Sequence, residues 1–500
     1  MAAKGARKGL MHHVAAMTLG AAMLLPASLL AAAPMGFDEA RHLLNRTSFA
    51  ASVDDINAFA KLTRAQAADQ LLAWTAGNKV VTSAPAWVND FESPRRLRAM
   101  SEEERKLAQR AQAEKSAELR GWWLTEMLTT PSPLTEKMVL FWHNHFVSSL
   151  QKVRSPVLMY RQQMLLRKHA LGYFGDLLHD VSKDPAMVIY LDNESNRKAQ
   201  PNENFAREVM ELFTLGEGNY GEQDIKEAAR AFTGWSIDHD SGEFVSRPLI
   251  HDDGVKTVLG RSGNFDGDAV LDILLAQPQT AEFIVFKLWR EFVSPVPDAV
   301  EVKRIARMFR DNRYNIKVAL RAILASEAFY APQNRAALIK SPVELIVGTL
   351  RQFRFETGEV TPFLLASRQL GQDLFAPPNV KGWPGGEAWI NSATLLQRKQ
   401  LLDRLFRAQE MSQPMQAMAR ERLGNLKGIV KEGADVRERL ARAMMDIRFD
   451  GDKWLSRFAP GDPLLVKVVL AADPLNPPAA GTSGTELLRQ LVLDPVYQLK

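Results

Sequence analysis

The helical period of the apolar residues constrains this sequence more than any other feature. It is plainest in QPNENFAREVMELFTLGEGNYGEQDIKEAARAFTGWS, residues 200–236, which reads as two helices joined by a Gly-rich turn. Phe205, Val209, Leu212 and Phe213 stand at i, i+4, i+7 and i+8 and make one apolar face. Asn202 is the expected N-cap after Pro201, and Asn204, Glu208 and Glu211 share a second face with Arg207 beside them. In the second helix Ile225, Ala228, Ala229 and Phe232 face inward, with Glu227 and Arg230 one turn apart. Gly234 closes it as the C′ residue. This density of charge on two short helices makes either a site or a polar brace.

The same period predicts helices elsewhere. Ser101, with Glu104 three residues on, opens a long charged helix over 101–128 that Trp122 and Trp123 anchor. Ser132-Pro133 and Ser341-Pro342 open two more, and Gly172 breaks the helical stretch 156–180. From Val270 to Phe329 the text is helical, with a dense apolar group at Phe283, Phe286, Leu288, Trp289 and Phe292. Two stretches lose the period: 236–268, with a small hairpin expected from Gly242 to Leu249, and the Gly/Pro/Trp loop 374–398. The expected class is mainly α. It is a multi-helix orthogonal bundle of one large or two closely packed lobes, with long irregular Gly/Trp-rich loops and at most a small hairpin. The expected division is 34–402 as the helical domain and 403–500 as a helical extension, with a Pro/Ala/Gly-rich linker at 460–484.

Residues 1–33 have the three parts of a secretory signal: Lys4, Arg7 and Lys8, then the apolar run Val14 to Leu30, then Ala31 to Ala33. An uncleaved anchor is the alternative reading. The expected address is periplasmic or secreted, with no transmembrane span beyond the signal. There are no cysteines, which excludes disulfide stapling, thiolate nucleophiles and cysteine-ligated metals. Lys plus Arg number 63 against 58 acids, a net charge of +5 with no strong basic run, so charge does not suggest a nucleic-acid partner.

Several stretches together resemble a large bacterial family catalogued as domain of unknown function 1800. They are ARHLLNRTSF at 40–49, LTEKMVLFWHNHF at 134–146, LDNESNRKAQPNENFAREVMELFTLG at 191–216 and YGEQDIKEAARAFTGW at 220–235. HDDGVKTVLG at 251–260, IKSPVEL at 339–345 and PPNVKGWPGGEAWINSATLLQR at 377–398 complete the set. The resemblance covers about residues 37–402. It implies an exported, mainly helical protein without an assigned activity, often encoded beside proteins that look like the alkaline phosphatase and sulfatase fold.

The candidate chemistry lies in these stretches. Trp142-His143-Asn144-His145 invites comparison with HNH nucleases, but that motif needs a ββα finger and this segment is helical. Residues two apart on a helix point about 200° apart, so one metal cannot easily take both histidines. His143 is either a ligand or a half-buried, hydrogen-bonded histidine. Glu208 and Glu211 can divide acid and base roles or bind a metal, or can pair with Arg207 and Arg230 in a structural network. Asp192, Glu194, Asn196 and Glu203 weakly echo a calcium loop, without its glycine. His251 and Asp252, with Lys256 nearby, suit a ligand pair or a proton relay. Trp383 and Trp389, beside Gly382, Gly385, Gly386 and Lys381, suit stacking on a sugar ring or a plug in the core.

The leading expectation is an exported hydrolase acting on an extracellular polymer or envelope conjugate, with a divalent metal as a candidate cofactor. Its catalytic residues would be Glu208, Glu211, His251, Asp252, Arg207 and Arg230. Asn204, Trp235, Lys256, Lys381, Trp383 and Trp389 would hold substrate. His143, His251, Asp252 and Glu208 would supply metal ligands. That assignment requires 200–236, 251–256 and 377–391 to form three walls of one site. The competing expectation is a non-enzymatic periplasmic scaffold, or an accessory subunit of a phosphatase- or sulfatase-like partner, with its acids and arginines all paired and buried and no solvent-reached cavity among them.

Overall fold

The helix Glu102–Thr129 opens with the expected capping box, Ser101 accepting from the Glu104 N–H and Glu104 from the Ser101 N–H. Ser341 and Glu344 form a second one at the start of Pro342–Gln352. Ser132 stands at the N-cap of Pro133–His145, but its hydroxyl bonds Thr135 Oγ1 instead of a backbone N–H. The Gly172 break divides Pro156–His169 from Phe174–Ser182. These elements belong to a computed structural model that describes residues 33–77, 79–410, 443 and 446–500. The expected signal segment lies outside the described residues, apart from Ala33.

The fold is mainly α, with helices packed around a continuous core. Among the described residues the strands form two antiparallel ribbons, Trp235–Ile237 with Phe244–Ser246 and Lys256–Val258 with Arg261–Gly263. The first differs in register from the hairpin expected at Gly242 to Leu249, because Trp235 supplies its buried end. The second was not legible: three residues per strand are too few to show a period of two. Leu259 and Gly260 turn it with φ +49° and +77°.

Pro34–Lys500 form one compact unit. Part of the expected linker is the helix Pro463–Val469, because Leu465, Val468 and Val469 are buried. The helix Gly484–Leu493 packs on Ser392–Glu410, where Arg489 bonds Asp403 at 2.9 Å. The last residues pair with the segment before Pro342, Leu499 opposite Ile339. No single helix among the described residues is long and apolar enough to cross a membrane.

The central stretch 200–236 keeps its two helical segments but not a uniform α-helix. Asn204–Glu208 is α-helical and runs into a π-helix, Val209–Thr214. Leu215 N–H reaches back five residues to the Met210 carbonyl at 2.8 Å, and the Thr214 hydroxyl bonds the Val209 carbonyl. The expected cap at Asn202 is present in a shifted form, its Oδ1 accepting from the Asn204 N–H at 3.0 Å.

Candidate functional site

The helix Pro133–His145 ends in the WHNH segment. Successive side chains on a helix point about 100° apart, so the last three residues go three ways. His143 is buried against Trp123, Phe375 and Trp383, with ring centroids 5.2, 5.3 and 5.7 Å away. Burial pushes its pKa down to about 3, and its Nε2 has no hydrogen-bond partner among the described residues. Asn144 uses both ends of its amide on Trp383 and so fastens the 377–391 loop. Gly382, with φ +81°, makes that approach feasible, since a Cβ there would run into Asn144.

His145 joins two further elements. Its Nδ1 lies 3.0 Å from Lys287 Nζ and its Nε2 lies 3.2 Å from the Phe213 carbonyl. The ammonium can only donate and the carbonyl can only accept, so the ring is assigned as the neutral Nε2–H tautomer. Burial and then the Lys287 charge hold its pKa well below the ordinary value. Lys287 also donates to the Leu212 carbonyl at 3.2 Å. The last carbonyls of a helix lack intrahelical partners and favour cations, so the end of the π-helix receives His145 and Lys287 together.

These elements enclose a cleft of about 280 Å³. Lys137, Glu344 and Lys500 line its floor, Trp383 and Trp389 its wall, and Lys287, Arg290 and Lys381 add further positive charge. Glu344 Oε1 accepts from both Lys137 and Lys500. Burial alone would push the Glu344 carboxyl up, but the two ammonium groups outweigh it and hold it well below the carboxylate range. The lysines diverge: burial pushes Lys137 down, whereas Glu344 and Glu291 overcome burial at Lys500. Five cationic side chains line the cleft against two carboxylates, Glu291 and Glu344. Arg290 is exposed and has no ion pair among the described residues. Lys287 has no carboxylate partner among the described residues, and burial, then Arg290, lower its pKa to about 8. The arrangement can bind an anion and presents an amine able to lose its proton near neutrality.

The residues expected to form one site divide into two groups. Lys381 lies 3.1 Å from Glu217 and 3.7 Å from Glu211, so the 377–391 loop does meet the 200–216 segment. Glu211 accepts from the Tyr220 hydroxyl at 2.7 Å. Glu208 stands half-buried beside it, its pKa raised by burial and then by Glu211. Asn204 spends its amide on the Leu191 carbonyl.

The other group is a brace. Arg230 binds Asp252 at 2.7 and 3.1 Å and Glu227 at 2.8 Å, and holds the Asp252 carboxyl below its usual range. Arg207 binds Glu222 at 2.9 Å and Glu203 at 3.2 Å. His251 Nδ1 meets the Thr233 carbonyl at 2.8 Å, and the buried Lys256 ammonium bonds the Asp252 and Gly254 carbonyls. Trp235 is core, against Phe232 at 5.1 Å and Phe244 at 5.6 Å. Among the described residues no hydrogen bond or ion pair links 251–256 to Glu208, Glu211 or the 377–391 loop. The physical reason is that residues 251–256 spend their polar groups on Arg230, on Thr233 and on their own backbone.

Metal ligation does not fit these residues. Among the described residues no group of three or more His, Asp or Glu side chains could hold an ion. His143 is caged by aromatics, and the carboxylate of Asp252 is committed to Arg230. The calcium-loop echo also disperses: Asp192 pairs with Lys152 at 2.7 Å, Asn196 accepts from the Asn202 N–H, and Glu203 pairs with Arg207.

Sequence reasoning passed over Lys287, Arg290, Lys137, Glu344 and Lys500. Lys137 and Glu344 do lie in the stretches 134–146 and 339–345, and Lys287 and Arg290 stand three apart within the apolar run FIVFKLWREF. Fold and cleft together define a mainly helical protein with a cationic, tryptophan-walled cavity. A family model described as "Protein of unknown function (DUF1800)" matches residues 42–466, and the chain belongs to that family. No curated protein and no solved structure matches it.

Proposed function

We propose that the protein is an exported hydrolase acting on an acidic extracellular polymer or envelope conjugate, with the cationic cleft as its site. The observation that carries this reading is the excess of cations over carboxylates in a cavity walled by Trp383 and Trp389. Arg290 and Lys381 would hold the acidic group, and the tryptophan edges would pack on the chain beside it. Lys287, deprotonated, would take a proton from water as the oxygen attacks, and the leaving oxygen would recover one from solvent. The test is release of reducing ends or phosphate from polyuronate and polyol-phosphate polymers. Turnover lost in Lys287→Met, and weakened substrate affinity in Arg290→Ala, are expected. Turnover unchanged by both variants would place the chemistry elsewhere.

The accessory-subunit reading is favoured by one observation, the full pairing of Arg207 and Arg230. It predicts no turnover by the purified chain and a stable complex with a phosphatase- or sulfatase-like partner.

A further inference from the structure

We infer that Lys287 is a reactive amine that captures anionic aldehydes or ketones entering the cleft as imines. The inference rests on the cleft reading for access and charge, and adds a covalent step to it.

Three observations single out this lysine. Of the cleft lysines, Lys137 and Lys500 bond Glu344 and Lys381 bonds Glu217, whereas Lys287 meets no carboxylate among the described residues. An ammonium has three donor directions. Two are used, on His145 Nδ1 at 3.0 Å and the Leu212 carbonyl at 3.2 Å, and the Phe283 ring centroid lies 4.7 Å from Nζ. On deprotonation the remaining direction becomes the lone pair, while both hydrogen bonds persist. The third observation is the surroundings: a desolvated amine beside another cation, Arg290, is the arrangement that activates lysine towards carbonyls. With a pKa of about 8, roughly a tenth of the amine is free at about pH 7, against under about a thousandth for an ordinary lysine.

The step balances without an added oxidant or reductant. The amine nitrogen attacks the carbonyl carbon, and the C=O π pair moves to oxygen. Proton transfer and loss of water then leave a C=N bond. Overall the ammonium and the carbonyl compound give a protonated imine and water. Arg290 and Lys381 would hold the ligand's anionic group.

The test uses the full chain with pyridoxal 5′-phosphate, which carries both an aldehyde and an anionic group, followed by borohydride reduction and peptide mapping. Lys287 should label in preference to the other cleft lysines, Lys137, Lys381 and Lys500, by on the order of tenfold at about pH 7, and inorganic phosphate should compete. Lys287→Arg keeps a cation for the Leu212 carbonyl, so it should melt like the parent and lose only this label. Label spread over surface lysines with no excess at 287 would overturn the inference. If phosphate still raises the melting temperature in that case, the anion-binding cleft stands and only the covalent step falls. If phosphate has no effect and no label concentrates at 287, both readings fall.

Discussion

Asn144 pairs with the backbone of Trp383 as a second peptide would, accepting from its N–H at 2.6 Å and donating to its carbonyl at 3.3 Å. Through this contact the end of the helix Pro133–His145 sets the position of the cleft's tryptophan wall. Asn144→Asp keeps the acceptor but turns a second oxygen on the Trp383 carbonyl. The expected loss is about 1–3 kcal/mol, together with faster tryptic cleavage after Lys381. Unchanged melting and an unchanged cleavage rate would contradict this role.

Glu344 is the shared counter-ion of two buried lysines. Glu344→Gln strands Lys137 beside a neutral amide and leaves Lys500 only Glu291 at 3.5 Å, and losing one partner of a buried pair costs about 3–5 kcal/mol. Urea denaturation should show that drop. Lys137→Met combined with Glu344→Gln should recover part of it, because the stranded charge is then removed. A midpoint unaffected by Glu344→Gln would rule the network out as a source of stability.

Acid should unfold the protein partly through three histidines. His42 and His143 are pushed down to about 3, in each case first by burial, and His145 lies well below its ordinary value. All three are neutral in the fold, so the unfolded chain binds more protons once the pH falls below about 6.5. Stability from this source is intact above that value. It declines towards about pH 3 by ~1.4 kcal/mol per pH unit for each histidine. His143→Phe, which suits the aromatic cage, should lower the proton uptake on unfolding by one in that window. An unchanged uptake would show that His143 is already protonated in the fold.

Lys287 should act in the alkaline range with the opposite profile. Its folded pKa of about 8 lies below the ordinary value of 10.5, so holding the proton in the fold is unfavourable. That cost is fully present below about pH 8 and is relieved as pH rises towards 10.5. It amounts to about 3 kcal/mol at 1.4 kcal/mol per unit. Stability measured by urea should therefore gain in this window, and Lys287→Met should remove the gain. A profile that Lys287→Met leaves unaltered would mean that the ammonium is solvated in the native state.

Much of the helical fold was legible because its signals are local. Ser101 and Glu104 lie one turn apart and need no distant partner to cap their helix, and Ser341-Pro342 marks a helix start by itself. The apolar face of Phe205, Val209 and Phe213 is buried as the period required. The π-helix was not legible, because Val209–Thr214 have the composition of an ordinary helix. The end of that segment faces Lys287 and His145, which come from other helices.

What the sequence by itself determined is the mainly helical class, many of the helix boundaries, and the stretches 134–146, 191–236 and 377–398 as the unusual text. Only the tertiary structure decided which charges brace the fold and which line a cavity. Arg230 reads the same on its helix whether it faces a ligand or Asp252, and Glu344 reads as a cap whether or not Lys137 and Lys500 reach it. The free energy of a buried charge depends on partners supplied by distant parts of the chain. Local periodicity carries no record of them.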